Sequence, residues 1–356
     1  MYDEQVFDDI LFLMIYAGVT VICVIASCYL LFRRGNAFAP DITTPSRPRR
    51  WTAIFFAFMA LSHLWYLPTQ FINSLDEIRE IYLIGGLLDS MTVLPLAIVV
   101  LLSLLQDRQR PLWPIAVMEV PLVMGLAWCI VSNNALLLSL VYAYFLLLGV
   151  ALIIYMAIVV RQYRHWLRDN YADLEHKEVW QSFVVAAIVL LVFGVYVVGI
   201  EGPAYKYVIQ LNDMVLVCYL LWRVETLSDL SLPSDTAVSP KNAGNIALLL
   251  QQHCIDTQLY LQHDLTIAQL AKAIGTNRLY LSQYLSSMGT TYNAYISDLR
   301  IRHFIALYRM SVATQRPFTA QQLASESGYR SYSTFSLAFK QRMGQSVTVW
   351  MRHSTK

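Results

Sequence analysis

Seven apolar runs fill the first 225 residues and constrain this chain more than any other feature. They lie at approximately 10–32, 51–72, 81–105, 112–131, 135–160, 182–200 and 207–222. A helix needs roughly 20 apolar residues to cross a bilayer. Inside lipid, a single run satisfies its own backbone hydrogen bonds only as a helix. The expected fold is therefore all-α, with a seven-span bundle over residues 1–225. Composition agrees: 57% of the 356 residues are hydrophobic and mean hydropathy is +0.47, too apolar for an ordinary soluble protein. The first run reads as a span rather than a secretory signal. Acidic Asp3, Glu4, Asp8 and Asp9 precede it, and Arg33 and Arg34 follow it.

Charge in the connections sets an orientation. Arg33, Arg34, Arg47, Arg49 and Arg50 follow the first run, Arg108 and Arg110 the third, Arg161, Arg164, Arg168 and Lys177 the fifth, and Arg223 ends the seventh. The alternate connections hold only Arg79 and Lys206, beside Asp76, Glu77, Glu80 and Glu201. The positive-inside rule places the N-terminus outside and the C-terminus in the cytoplasm. The expected location is a membrane crossed several times, with the lipid bilayer as a partner.

Ionisable groups inside spans are costly and point to function. His63, Asp89, Glu119 and Asp213, with Asn212 beside the last, are the candidates. At about 1.5 Å per residue, Asp213, Asp89 and His63 lie roughly 9, 12 and 14 Å below the outer ends of their spans, and Glu119 roughly 18 Å. Three groups at similar depth suit a pocket open to the outside that takes a small-molecule or envelope signal. They equally suit a polar cluster that only holds helices together.

The last third of the chain has a different chemistry. Residues 1–240 carry 14 Lys/Arg and 20 Asp/Glu, whereas residues 241–356 carry 12 Lys/Arg and 4 Asp/Glu. A basic domain on an acidic apolar chain implies a polyanionic partner for that domain alone. Residues 226–245, rich in Ser, Pro and Asp, read as a linker. Ile246, Leu249, Leu250 and Cys254 share one face of an amphipathic helix over 246–258, and Tyr260-Leu261 would pack it onto the segment that begins at Leu265.

Between residues 265 and 352 one pattern occurs twice. Leu270-Ala271 is followed by Gly275, a polar helix start at Asn277, the apolar pair Leu281/Leu285 and Gly289. Leu323-Ala324 is followed by Gly328, Ser331, Phe335/Phe339 and Gly344. A helix, a glycine turn and a capped second helix make a helix-turn-helix unit. The segments LTIAQLAKAIGTNRLYLSQYLSSMGTTYNAYISDLRI (265–301) and FTAQQLASESGYRSYSTFSLAFKQRMGQSVTVW (318–350) resemble the DNA-binding domain of the AraC family of bacterial transcription regulators. The resemblance covers about a quarter of the chain. The chain departs from the family pattern at Val347, usually Pro, and at Met351, usually Arg. The resemblance implies a rigid helix at 293–307 that holds two recognition helices about one DNA turn apart. It also brings attention to Arg300, which is expected to make an intradomain contact rather than touch DNA.

With the apolar pairs in the core, Arg278, Leu279, Ser282, Gln283 and Ser286 face outward in the first unit, and Tyr332, Ser333, Ser336, Leu337 and Lys340 in the second. A recognition helix presents base contacts from its N-terminal half in the major groove. Gln283 can pair bidentately with adenine, the serines can donate or accept, and Leu279 and Leu337 can touch thymine methyls. Arg278, Arg330 and Lys340 suit phosphates.

The expected function is a membrane-embedded, sequence-specific DNA-binding transcription regulator, with double-stranded DNA as partner. A homodimer formed through the linker and the 246–258 helix, and RNA polymerase in the case of an activator, are further expected partners. One rival reading makes the spans a receptor or transporter whose C-terminal domain, residues 246–356, binds a protein. Another makes them a passive anchor. No phosphate-binding glycine loop, HExxH or GxSxG occurs, so neither an enzyme nor a cofactor is expected. The five cysteines show no disulfide or zinc spacing.

Overall fold

A computed structural model describes residues 2–33, 36–38, 44–72, 74–132, 135–174, 177–197, 205–230 and 246–354. Arg34, the 198–204 connection with Glu201, and residues 231–245 of the expected linker lie outside the described residues. Two compact units emerge. One comprises Met1–Arg161 and Val179–Leu230, the other Gln162–Glu178 and Ser231–Lys356.

The first unit contains α1 (Tyr2–Phe32), α2 (Ser46–Tyr66), α3 (Leu75–Met91), α4 (Val93–Ser103), α5 (Trp113–Ser132), the first part of α6 (Ala135–Asn170), α7 (Trp180–Val197) and α8 (Tyr205–Thr226). Among the described residues, six stretches are long and apolar enough to cross a membrane: Ile10–Phe32, Ser46–Gln70, Leu75–Ser103, Trp113–Ser132, Leu136–Asn170 and Tyr205–Thr226. The sixth expected span is represented by α7. Its apolar stretch Trp180–Val192 is shorter than a span, and the end of that run lies outside the described residues. Between 22% and 39% of each apolar window is buried, so most of each helix presents apolar side chains outward. Met14, Ile25, Leu147, Ile188 and Leu191 are exposed examples. A soluble fold would hide such a surface, whereas lipid accepts it.

α1 packs on α2 and α8, α2 also on α4 and α8, α3 on α5, and α7 on α8. α3 and α4 are one run broken at Thr92, whose φ and ψ of −128° and −67° are not helical. Pro95 explains the break: its ring clashes with the carbonyl four residues back, that of Met91. After α8, Leu227 and Leu230 are buried, and Gln106 bonds both the Ser228 carbonyl at 3.0 Å and the Leu230 amide at 2.9 Å. The first residues of the expected linker are thus packed.

The second unit contains α9 (Ile246–Leu250), which runs into a wider π turn at Gln251–Ile255, and a 3-10 turn at Leu259–Leu261. Beyond them come α10 (Ile267–Ala273), α11 (Arg278–Ser287), α12 (Tyr292–Ala313), α13 (Ala320–Glu326), α14 (Tyr332–Met343) and α15 (Val347–Ser354). Five of these helices begin on a side-chain cap. Thr266, Asn277, Thr291, Thr319 and Ser331 each accept from the backbone N–H three residues on. Thr266 and Gln269 form a full capping box. Two cores result. The first joins Leu250, Cys254, Leu265, Leu270, Leu281, Leu285 and Ile296. The second joins Phe304, Tyr308, Leu323, Phe335, Phe339 and Trp350.

Candidate nucleic-acid interface

The two repeats fold into two helix-turn-helix units, α10–α11 and α13–α14. Gly275, Gly289, Gly328 and Gly344, the four glycines of the repeat, all have positive φ. The apolar pairs point inward: Leu281, Phe335 and Phe339 are fully buried and Leu285 nearly so. Leu279, Gln283 and Ser286 are exposed on α11, and Ser282 is half-buried. On α14, Ser333, Leu337 and Lys340 are exposed, while Tyr332 and Ser336 are half-buried. Tyr332 leans toward the core, its ring 5.9 Å from that of Phe335.

Both flanking arginines are engaged. Arg278, half-buried at the start of α11, donates to Asn170 Oδ1 at 3.0 Å. Arg330 is exposed, with Nη1 3.6 Å from Asp264 Oδ2, and Lys177 Nζ lies 3.4 Å from the other oxygen of that carboxylate. Sequence reasoning missed Asn170 and read Lys177 only as a charge that sets orientation, because both belong to the connection after the fifth apolar run.

Arg300 sits on α12 between the two units and is 1% exposed. Nε donates to the Tyr260 carbonyl at 2.8 Å, and Nη2 donates to those of Gln262 at 2.7 Å and His263 at 3.3 Å. Its guanidinium lies 5.6 Å from the Tyr329 ring centre. Burial pushes its pKa below the ordinary arginine value, opposed by Tyr329 and Asp173. The contact is intradomain, as expected. Arg300 fixes the 260–263 turn, and the turn in turn backs the second unit: a Cβ on Gly328 would meet Leu261 O at 2.7 Å. One residue therefore ties both helix-turn-helix units to a common frame.

In the compact unit of α1–α8, two of the five polar candidates, His63 and Asp213, meet. His63 Nδ1 bonds the Met59 carbonyl at 2.8 Å, so that nitrogen carries a proton. Nε2 faces Gln210 Oε1 at 3.3 Å and Asp213 Oδ2 at 3.9 Å. The Tyr16 ring lies 4.8 Å from the His63 ring, and Tyr16 donates to the His63 carbonyl. Asp89 accepts from the Tyr66 hydroxyl at 2.8 Å, one turn before the Thr92 break. Glu119 is buried on α5, with one carboxylate oxygen lacking a hydrogen-bond partner, and the Asn212 amide nitrogen likewise lacks one. Gln210 went unremarked in the sequence, although it precedes Asp213 by three residues and so shares its helix face.

The family model described as a helix-turn-helix domain matches residues 270–353. That match, of AraC type, makes the C-terminal part a DNA-binding regulatory domain. No curated protein and no solved structure matches the chain.

Proposed function

We propose that this chain is a membrane-embedded, sequence-specific transcription regulator of bacterial type. Seven spans over residues 1–225, N-terminus outside, carry a cytoplasmic domain that reads DNA with α11 and α14. The carrying observation is the pair of capped helix-turn-helix units locked together through Arg300. Gln283, Ser282, Ser286, Ser333, Ser336 and the exposed Leu279 and Leu337 would meet base edges; Arg278, Arg330 and Lys340 would meet phosphates, with Tyr332 beside them.

The His63–Asp213–Asp89 cluster would sense the signal, with Asn212 and Glu119 as further polar groups within the spans. A ligand there changes DNA affinity only as far as it discriminates between two states of the protein. A dimer through residues 226–258 would double the DNA site, and an activator would also touch RNA polymerase.

The test is genome-wide occupancy of the full-length protein beside a form with Arg278, Gln283, Ser336 and Lys340 all changed to Ala. Discrete peaks that vanish in the variant support a DNA reader. Absence of peaks with abundant folded protein favours a second reading, a protein-binding domain, for which the exposure of Leu279 and Leu337 (63% and 61%) speaks. His63→Ala, Asp89→Ala and Asp213→Ala should each abolish regulation while the protein accumulates. Regulation that survives all three would reduce the spans to an anchor.

A further inference from the structure

Residues 162–178 belong to the same compact unit as the DNA-binding helices, although the 52 residues Val179–Leu230 separate them from the rest of that unit in the chain. The contacts are specific. Tyr171 forms an antiparallel bridge with Thr266, the residue that caps α10. The Ala172 amide donates to the Leu265 carbonyl at 3.3 Å, and Ala172 lies in the first core beside Leu265. Asn293, on the first turn of α12, donates to the carbonyls of Ala172 at 2.6 Å and Tyr171 at 3.3 Å. Asn170, the last residue of α6, closes the set by accepting from Arg278.

Two observations point the same way. Arg278 occupies the first helical position of the first reading helix, where a phosphate contact is expected, and Asn170 takes one of its donors. Arg330, the corresponding cation ahead of the second reading helix, is paired with Asp264, which Lys177 of the same segment also holds. Asn170 is held in turn: its amide nitrogen donates to the Trp166 carbonyl at 2.7 Å, one turn back on α6. Its oxygen is therefore fixed toward Arg278 and is not a mobile surface group.

We propose that Asn170 competes with DNA phosphate for Arg278, so that the 162–178 segment is an internal brake on DNA binding by the first reading helix. A neutral amide oxygen is a weaker acceptor for guanidinium than a phosphate, so the brake is reversible. Because Asn170 ends the helix that carries the fifth apolar run, displacement of α6 would withdraw it. The inference rests on the DNA-reading function proposed above and names the contact through which that function is regulated.

The experiment uses full-length protein in lipid nanodiscs and a mixed-sequence DNA duplex several helical turns long, since a phosphate contact is independent of sequence. Affinity is measured across a salt series for wild type, Asn170→Ala and Asn170→Asp. With Asn170 removed, the Arg278 donor it occupied can turn to a phosphate: affinity rises roughly three- to tenfold, and the slope of log affinity against log salt steepens by about 0.9. Asn170→Asp should do the opposite, because a carboxylate holds the guanidinium more tightly. Hydrogen exchange of α11 and α12 amides confirms that both variants stay folded. Unchanged or weakened binding by Asn170→Ala, with an unchanged slope, would overturn the brake, as would unchanged binding by Asn170→Asp. Wild-type protein that binds no duplex at any salt would instead bring down the DNA-reading function, and the brake with it.

Discussion

The two helix-turn-helix units share a plan and differ in what stabilises them. In the first, the core is mostly aliphatic, with Tyr260 and Tyr292 among its members, and the turn glycine, Gly275, has nothing within 4 Å of where a Cβ would stand. In the second, the core is an aromatic lattice. Phe335 lies 4.5 Å from Phe304, 5.2 Å from Tyr329 and 5.5 Å from Phe339, ring centre to ring centre. Its turn glycine, Gly328, presses on Leu261. The first unit is completed by the distant 162–178 segment, the second by its own α15, which contributes Val347 and Trp350. A repeated motif thus yields one unit whose packing is mostly local and one whose packing depends on a remote part of the chain.

The largest effects should come from the cores. Phe335→Ala removes the centre of the ring lattice and should cost about 3–5 kcal/mol, and Leu281→Ala about 2–5 kcal/mol in the aliphatic core. Amide hydrogen exchange in the full-length protein separates them. Phe335→Ala should lose protection in α13–α15 and keep it in α10–α11, and Leu281→Ala the reverse. Equal loss across both units after either change would make the two cores one cooperative block.

Arg300→Met sharpens the comparison from the joint between the units. It leaves three backbone carbonyls without their donor, at a cost of about 3 kcal/mol. Each unit keeps its own core, so the expected outcome is reduced DNA affinity with protection of α11 and α14 retained. Collapse of protection in both units would mean that Arg300 supports folding and not merely spacing.

Next come the turn glycines, equivalent in the repeat and unequal in space. Gly328→Ala combines a φ of +86° with a collision against the Leu261 backbone, and about 2–3 kcal/mol is expected. Gly275→Ala, at a φ of +71° in open space, should cost about 1 kcal/mol. Thermal melting of the helical signal, or exchange rates in the two turns, reads the difference. Equal costs would mean that the turn at 260–263 yields.

Much of this contrast was legible in the sequence where the cause is local. Asn277 and Ser331 announce helix starts because a short oxygen-bearing side chain satisfies the N–H three residues on. The glycines announce turns because only they adopt positive φ without strain. Leu281/Leu285 and Phe335/Phe339 announce the core because residues four apart share a helix face. The 36-residue α6 was legible only in part. Its apolar first 26 residues were read as a span, and nothing in the polar remainder or the loop after it announced that Asn170 and Ala172 would join a domain starting at residue 246. An alanine in a polar loop carries no signature of the core it enters. Arg300 was placed inside the domain by resemblance, yet its partners are backbone carbonyls, which no side-chain pattern reveals. The His63–Asp213 meeting was suggested by depth, whereas Gln210 and Tyr16 were overlooked because neither is charged.

The smallest expected effect concerns a histidine at the seam. His303 Nδ1 lies 3.2 Å from the Tyr260 hydroxyl, on the turn that Arg300 anchors. Burial lowers its pKa below the ordinary 6.5, with Glu326 opposing. A depressed folded-state pKa means that the unfolded chain takes up the proton first as acid is added. The stabilising contribution is therefore complete above 6.5 and is lost as pH falls below it toward the folded value. Exchange protection of α12 should weaken over that window in the wild type and stay flat in His303→Gln, whose amide can still meet Tyr260. The seam would then soften in acid while the aromatic core beyond it does not. An identical pH dependence in the variant would assign the change to carboxylates and leave both units equally indifferent to His303.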